Sequence, residues 1–137
     1  MKKKIQNTLL ILCSVCLMTA CSKDTDSKLF GKWQLQQVEM DGVVEKVDTI
    51  YFNFQSSLFM YQVYRPQTES FSYRYGYNTL EGENILHLEL TNDPGPVSTF
   101  LPYTDWISAK RTYTIDKISG KELILNSENK TYVFRKF

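Results

Sequence analysis

Ser70-Phe71-Ser72-Tyr73-Arg74-Tyr75-Gly76-Tyr77 is the stretch from which the rest of the chain can be read. Its aromatic side chains recur at every second residue, the period of a β-strand with two unlike faces and not that of a helix. Ser70, Ser72, Arg74 and Gly76 form the other face. That polarity predicts Phe71, Tyr73, Tyr75 and Tyr77 turned into a core and the small polar residues turned to water. An inward ladder fills a barrel, or lines one with hydroxyls able to orient an amphipathic ligand. An outward ladder would instead be a tyrosine stripe suited to a partner protein or to sugar rings.

The same alternation continues on both sides. Residues 49–55 place Ile50, Phe52 and Phe54 on one face, and Ser56-Ser57 turns the chain into residues 58–64, where Phe59, Tyr61 and Val63 oppose Leu58, Met60 and Tyr64. Pro66 ends that strand because it has no N–H for the ladder. Nearer the N-terminus, a strand from Gly31 to about Met40 stops at Asp41-Gly42, a tight-turn pair with positive φ supplied by the glycine. Its alternation slips near Gln36-Gln37, which predicts a bulge. After residue 78, Glu81-Gly82-Glu83-Asn84 leads into residues 85–91, with Leu86, Leu88 and Leu90 on the core side and His87 and Glu89 away from it. Three further strands at about 110–116, 121–126 and 130–136 are separated by Ser119-Gly120 and Glu128-Asn129. Eight strands in up-and-down order are enough for a sheet to close on itself and leave no exposed edge, so the predicted fold is an all-β, eight-stranded antiparallel barrel.

Residues 92–109 interrupt this pattern. Asn92-Asp93-Pro94-Gly95-Pro96 and Pro102 break strand structure, and connections this long are uncommon in compact domains unless they carry function. Phe100, Leu101, Trp106 and Ile107 are too apolar for a solvated linker. The segment reads as a lid or plug over an open rim, with a short helix over residues 102–109 laying Trp106 and Ile107 on the barrel. Its functional alternative is an entrance loop or partner surface, which makes Trp106 a candidate ligand contact beside Phe71, Tyr73, Tyr75 and Tyr77.

The N-terminus carries an export signal. Lys2-Lys3-Lys4 precede an apolar stretch from Ile5 to Met18, too short to span a membrane comfortably, and a small residue follows at Ala20. Leu17-Met18-Thr19-Ala20-Cys21 resembles the lipobox of bacterial lipoproteins. That resemblance implies that Cys21 becomes the acylated first residue of the mature protein and holds it on a membrane. Residues 1–20 are then the signal peptide, 21–28 the acylated cysteine with a polar tether, and 29–137 the barrel domain. The Ser22-Lys23-Asp24 start also resembles the tag that directs some lipoproteins to the outer face of the outer membrane. Cys13 and Cys16 leave with the signal, so their C-x-x-C spacing carries no redox or zinc meaning and the mature domain has no disulfide.

Charge and chemistry narrow the function. Of 16 Lys and Arg the signal removes three, leaving 13 against 15 Asp and Glu, a formal −2. No basic stripe remains for nucleic-acid phosphates. One histidine, His87, and no free thiol leave no Cys/His nucleophile or zinc set, and no Gly-x-Ser-x-Gly elbow or phosphate loop is present. The expectation is a non-enzymatic protein without cofactor or metal.

Gly31-Lys32-Trp33 at the start of the first strand, the seven strands after it and the closing Tyr132-Val133-Phe134-Arg135 resemble the lipocalin-like group of small bacterial lipoproteins. The resemblance implies a calycin-type barrel whose Gly31-x-Trp33 turn plugs the closed end and whose late arginine, Arg135, stacks on Trp33. It also implies a role in binding a small apolar or amphipathic molecule. The competing role is that of a structural or interaction lipoprotein with a solid barrel, contacting envelope or host proteins through residues 92–109.

Overall fold

The computed structural model describes residues 24–137; the signal segment, Cys13, Cys16 and Cys21 lie outside the described residues. Residues 24–29 are helical, and nine strands follow: β1 Gly31–Met40, β2 Val43–Lys46, β3 Ile50–Gln55, β4 Leu58–Arg65, β5 Ser70–Glu81, β6 Ile85–Leu90, β7 Lys110–Ile118, β8 Glu122–Ser127 and β9 Lys130–Lys136. Every pairing is antiparallel between neighbours, and β9 returns to pair with β1, so the sheet closes.

The ninth strand does not enlarge the ring. β2 pairs with Gln37 to Met40 and β3 with Gly31 to Gln34, so both lie on one edge of β1. Residues 47–49 break that edge, and the Val47 N–H still reaches Gln36 O at 3.0 Å. The barrel is therefore eight-stranded, as the alternation predicts. The Asp41-Gly42 turn has φ of 52° and 78°, the left-handed pair of a two-residue hairpin, and the expected slip appears as a bulge in β1 between Leu35 and Gln37.

Trp33, Phe52, Phe59, Tyr61, Leu86, Leu88, Tyr113, Leu123, Leu125 and Phe134 are among the side chains that fill the interior. Phe52 stands at the centre, with ring centroids 4.8 Å from both Tyr61 and Phe134 and 5.1 Å from Phe59.

The tyrosine ladder of β5 faces the other way from the sequence expectation. Phe71, Tyr75 and Tyr77 are 45 %, 45 % and 55 % exposed, whereas Gly76 and Asn78 are buried. Three local demands invert the strand. A side chain at Gly76 would collide with the Glu89 carbonyl of β6, so that inward position must be glycine. Asn78 turns inward because its amide donates to Ser56 O at 3.0 Å and Leu58 O at 2.8 Å, tying the β3–β4 turn to β5. Arg74 reaches under the long connection, donating to Thr99 Oγ1 at 2.9 Å and Pro96 O at 3.2 Å. The inner space opposite β5 is filled by Phe59, Tyr61 and Phe100 from other elements.

Candidate functional site

The two ends of the barrel differ. At the end where the chain enters, residues 24–29 pack beneath the strands, with Leu29 buried and its carbonyl accepting the Trp33 indole N–H at 2.8 Å. Trp33 is fully buried, as the Gly-x-Trp reading expects. Gly31 has φ of 116°, a backbone conformation that side chains rarely adopt, and the Lys136 ammonium lies 2.6 Å from where its Cβ would be. The cation over Trp33 is Lys136, with Nζ 4.5 Å from the ring, and not Arg135. Strand parity explains this correction: Phe134 and Lys136 face in and Arg135 faces out, where its Nε donates to Gln34 Oε1 at 3.1 Å. Burial lowers the Lys136 pKa. The helical residues also start the folded unit before residue 29, where the sequence reading places a polar tether.

The opposite end, the mouth, is spanned by residues 91–109. In place of a helix over 102–109 there are two 3-10 turns, Val97–Thr99 and Leu101–Tyr103, followed by bends. Phe100 and Trp106 drop into the barrel, while Ile107 stays 88 % exposed. The Trp106 ring stacks on Phe59 at 6.3 Å and 9°, stands edge-on to Tyr61, and donates its indole N–H to Tyr113 Oη at 2.9 Å. The connection is thus a plug for much of the mouth.

Beside the plug a cleft of 210 Å³ remains. Leu35, Val38, Val47, Ile50, Phe52 and Phe134 form its apolar wall; Tyr61, Tyr103, Asp105, Tyr113, Lys130 and Tyr132 bring polar atoms to it. None of Phe71, Tyr73, Tyr75, Tyr77 or Trp106 lines it. Tyr75 and Tyr77 border grooves on the outer wall instead, and Trp106 sits behind the cleft as part of the packed core.

The polar side of the cleft is one network. Asp105 accepts from the Tyr132 hydroxyl, from Arg111 Nη1 at 3.3 Å and from Lys130 Nζ at 3.3 Å. Arg111, buried, also donates to Asp105 O at 3.0 Å, Tyr132 Oη at 2.6 Å and Ser127 Oγ at 3.2 Å. Its guanidinium lies over the rings of Tyr113 and Tyr132 at 5.3 and 5.5 Å. Burial works against the charge on Arg111, but Tyr113, Asp105 and Tyr132 outweigh it and leave the group more basic than usual. Burial raises the pKa values of Tyr61, Tyr113 and Tyr132, and for Tyr132 the Asp105 hydrogen bond and charge add to the rise. The three hydroxyls therefore remain protonated through the neutral range.

Asp105, Arg111 and Lys130 were not singled out by sequence reasoning, and Tyr132 entered only as part of the closing Tyr132-Val133-Phe134-Arg135 and not as a site residue. Only Arg111 carried a local signal: it stands between Lys110 and Thr112 at an inward position of an alternating strand, and a buried arginine needs partners. His87, by contrast, is outward as expected, bonded to Glu81 Oε2 at 2.8 Å and Thr112 Oγ1 at 2.9 Å. Among the described residues no group of three His, Cys, Asp or Glu could hold a metal ion, and no helix is long and apolar enough to cross a membrane.

A closed eight-stranded antiparallel barrel, sealed at one end by a Gly-x-Trp strand start and cleft at the other, is of the lipocalin-like class. The chain belongs to the lipocalin-like domain family, whose model matches residues 16–137. It is similar to a lipocalin-like protein from Bacteroides uniformis ATCC 8492, with 30 % identity, a TM-score of 0.72, and coverage of 80 % of this chain and 99 % of that one. A second similar structure, titled an uncharacterized protein from Bacteroides eggerthii DSM 20697, shares 28 % identity at a TM-score of 0.68, with the same coverage of both chains. No curated protein matches the chain.

Proposed function

We propose that this is a membrane-anchored binding protein that takes a ring-sized amphipathic molecule into the cleft at its mouth. The observation that carries the reading is the cleft itself, with one apolar wall and one wall of fixed hydrogen-bonding groups, the usual arrangement of a small-molecule site. Its 210 Å³ sets the size of ligand. An apolar cavity of about 150 Å³ holds benzene, whereas drug-sized ligands occupy about 300–1,000 Å³. A single ring with one polar substituent fits; a long acyl chain does not, because Phe52, Tyr61, Trp106 and Phe134 occupy the barrel axis. The polar substituent would face Tyr132, Asp105 and Lys130. The anchor is Cys21, supported by the Leu17-Met18-Thr19-Ala20-Cys21 lipobox, and the tag-like Ser22-Lys23-Asp24 supports a place on the outer membrane. The role is binding and not catalysis.

The second role, protein contact through residues 92–109, draws on the exposure of Tyr103 and Ile107. Phe100 and Trp106, the larger apolar groups of that segment, are already buried in the barrel, which favours the ligand reading. Titration of the chain from residue 21 onward with 4-methylphenol, followed by amide NMR, tests it. Saturable shifts clustered at Val38, Val47, Ile50 and Tyr132 are expected. Shifts that stay linear in ligand, or that scatter over the outer wall, would remove the proposal.

A further inference from the structure

The outer wall is not uniformly polar. Phe30 is 56 % exposed, Leu58 51 % and Tyr77 55 %. Strand register puts Leu58 beside Tyr77 and Met60 beside Tyr75 across β4 and β5. Phe30, Leu58, Met60 and Tyr75 line a single outer groove of 430 Å³, and Leu58, Tyr75 and Tyr77 line a second of 260 Å³ beside it. The opposite wall shows Thr112, Thr114 and Asn126 outward, the ordinary polar face of an antiparallel sheet. A contiguous aromatic and aliphatic face of this kind marks an interaction surface.

We propose that this face rests on the lipid bilayer, its rings at headgroup depth, and that it fixes the orientation of the tethered barrel. The proposal rests on the reading of Cys21 as the acylated residue. Three peptide steps separate Cys21 from Asp24, at most about 11 Å of chain. The helical stretch to Phe30 adds about 9 Å. Phe30 is therefore held within about 20 Å of the acylated residue. Leu29 and the Trp33 hydrogen bond lock that stretch to the barrel, so the domain does not swing on a long linker. The apolar face begins at Phe30 itself, where the anchored chain joins the wall. Aromatic rings with an apolar body and a polar tip favour the interface, and tyrosine supplies two of the five residues of the face. Lys32 lines the groove beside Phe30 and adds a charge suited to anionic headgroups, while Lys28 is paired with Asp24 at 3.0 Å. In this orientation the mouth, at the end of the barrel opposite residues 24–29, opens to the aqueous phase.

From residue 21 onward the chain has one thiol, Cys21, and all the described strands. Coupling that thiol to a maleimide-headgroup lipid in phosphatidylcholine/phosphatidylglycerol nanodiscs rebuilds the tether whether or not the cell acylates it. With doxyl-labelled lipid present, the amides of Phe30, Leu58 and Tyr77 should broaden several-fold more than those of Thr112 and Asn126. A Phe30→Ser, Leu58→Ser, Tyr77→Ser variant, altered only at exposed positions, should keep its fold and lose that difference. Equal broadening of both walls, strongest broadening at residues 92–109, or lipid-free dimers that protect the same amides would each overturn the proposal. Failure of the anchor reading shows separately, as an unmodified Cys21 in the mass of the mature N-terminus.

Discussion

The closed end and the mouth of the barrel use the same residue types to opposite ends. Around Trp33 an aromatic ring, a buried leucine and one cation pack tightly, Trp33 itself lines neither the mouth cleft nor the groove that starts at Phe30 on the outer wall, and the indole N–H bonds to the backbone. Around Tyr132 there are also rings and cations, but a carboxylate is added and 210 Å³ is left unfilled. Close packing stabilises, whereas a void forfeits dispersion contacts and is kept only where something else selects for it. The closed end is therefore the structural half of the molecule and the mouth the half free to bind.

The largest effect expected from this contrast is at the closed end. Trp33→Ala should lower stability by about 3–5 kcal/mol, a large part of a small domain's total, measured by denaturant unfolding. A midpoint near wild type would show that the closed end does not carry the fold. Trp106→Ala should cost less, about 2–3 kcal/mol, because a connection can relax into the space better than a strand can. It should also enlarge the cleft enough for a two-ring ligand such as naphthol to bind, and failure of naphthol to bind would mean that the loop collapses to reseal the mouth.

Alkaline pH separates the ends more finely. Tyr61, Tyr113 and Tyr132 hold their protons in the folded state above the pH at which the unfolded chain releases them. Their contribution is thus complete below about pH 10 and is lost as pH rises beyond it, by about 1.4 kcal/mol per pH unit for each such tyrosine. Unfolding curves from pH 8 to 11 should stay level and then fall, and the fall should be shallower in Tyr132→Phe. A curve unchanged by that substitution would remove Tyr132 from the buried network.

The smallest effect tests the corrected cation. Arg135→Ala should change stability by no more than about 0.5 kcal/mol, and Lys136→Ala by about 1 kcal/mol through the lost contact with Trp33. The reverse order would restore the arginine to the tryptophan.

How much of this was readable before the fold was known depended on whether a residue's role was local. Leu86, Leu88 and Leu90 alternate with the polar His87 and Glu89, and their inward facing follows from period alone. The bulge near Gln36-Gln37 was legible for the same reason, as a break in parity. β2 was not, because Val43 to Lys46 is exposed throughout and shows no alternation. The ladder of β5 misled because tyrosine is at home on either face, and the decisive constraints lay elsewhere in the chain: the Glu89 carbonyl against Gly76, the Ser56 and Leu58 carbonyls at Asn78 and residues 96–100 above Arg74. The cleft was the least legible feature. Asp105 meets Arg111 six positions on, but it meets Lys130 and Tyr132, 25 and 27 positions away, only once β7, β8 and β9 have paired.

The most direct test is calorimetric titration of 4-methylphenol into the wild type and into Val38→Phe, whose larger side chain grows from the apolar wall into the cleft. The wild type should bind one equivalent saturably, and Val38→Phe should bind none while unfolding at the same or a higher denaturant concentration. Equal affinity in the two proteins would place the ligand somewhere other than the mouth and contradict the division of labour between the two ends.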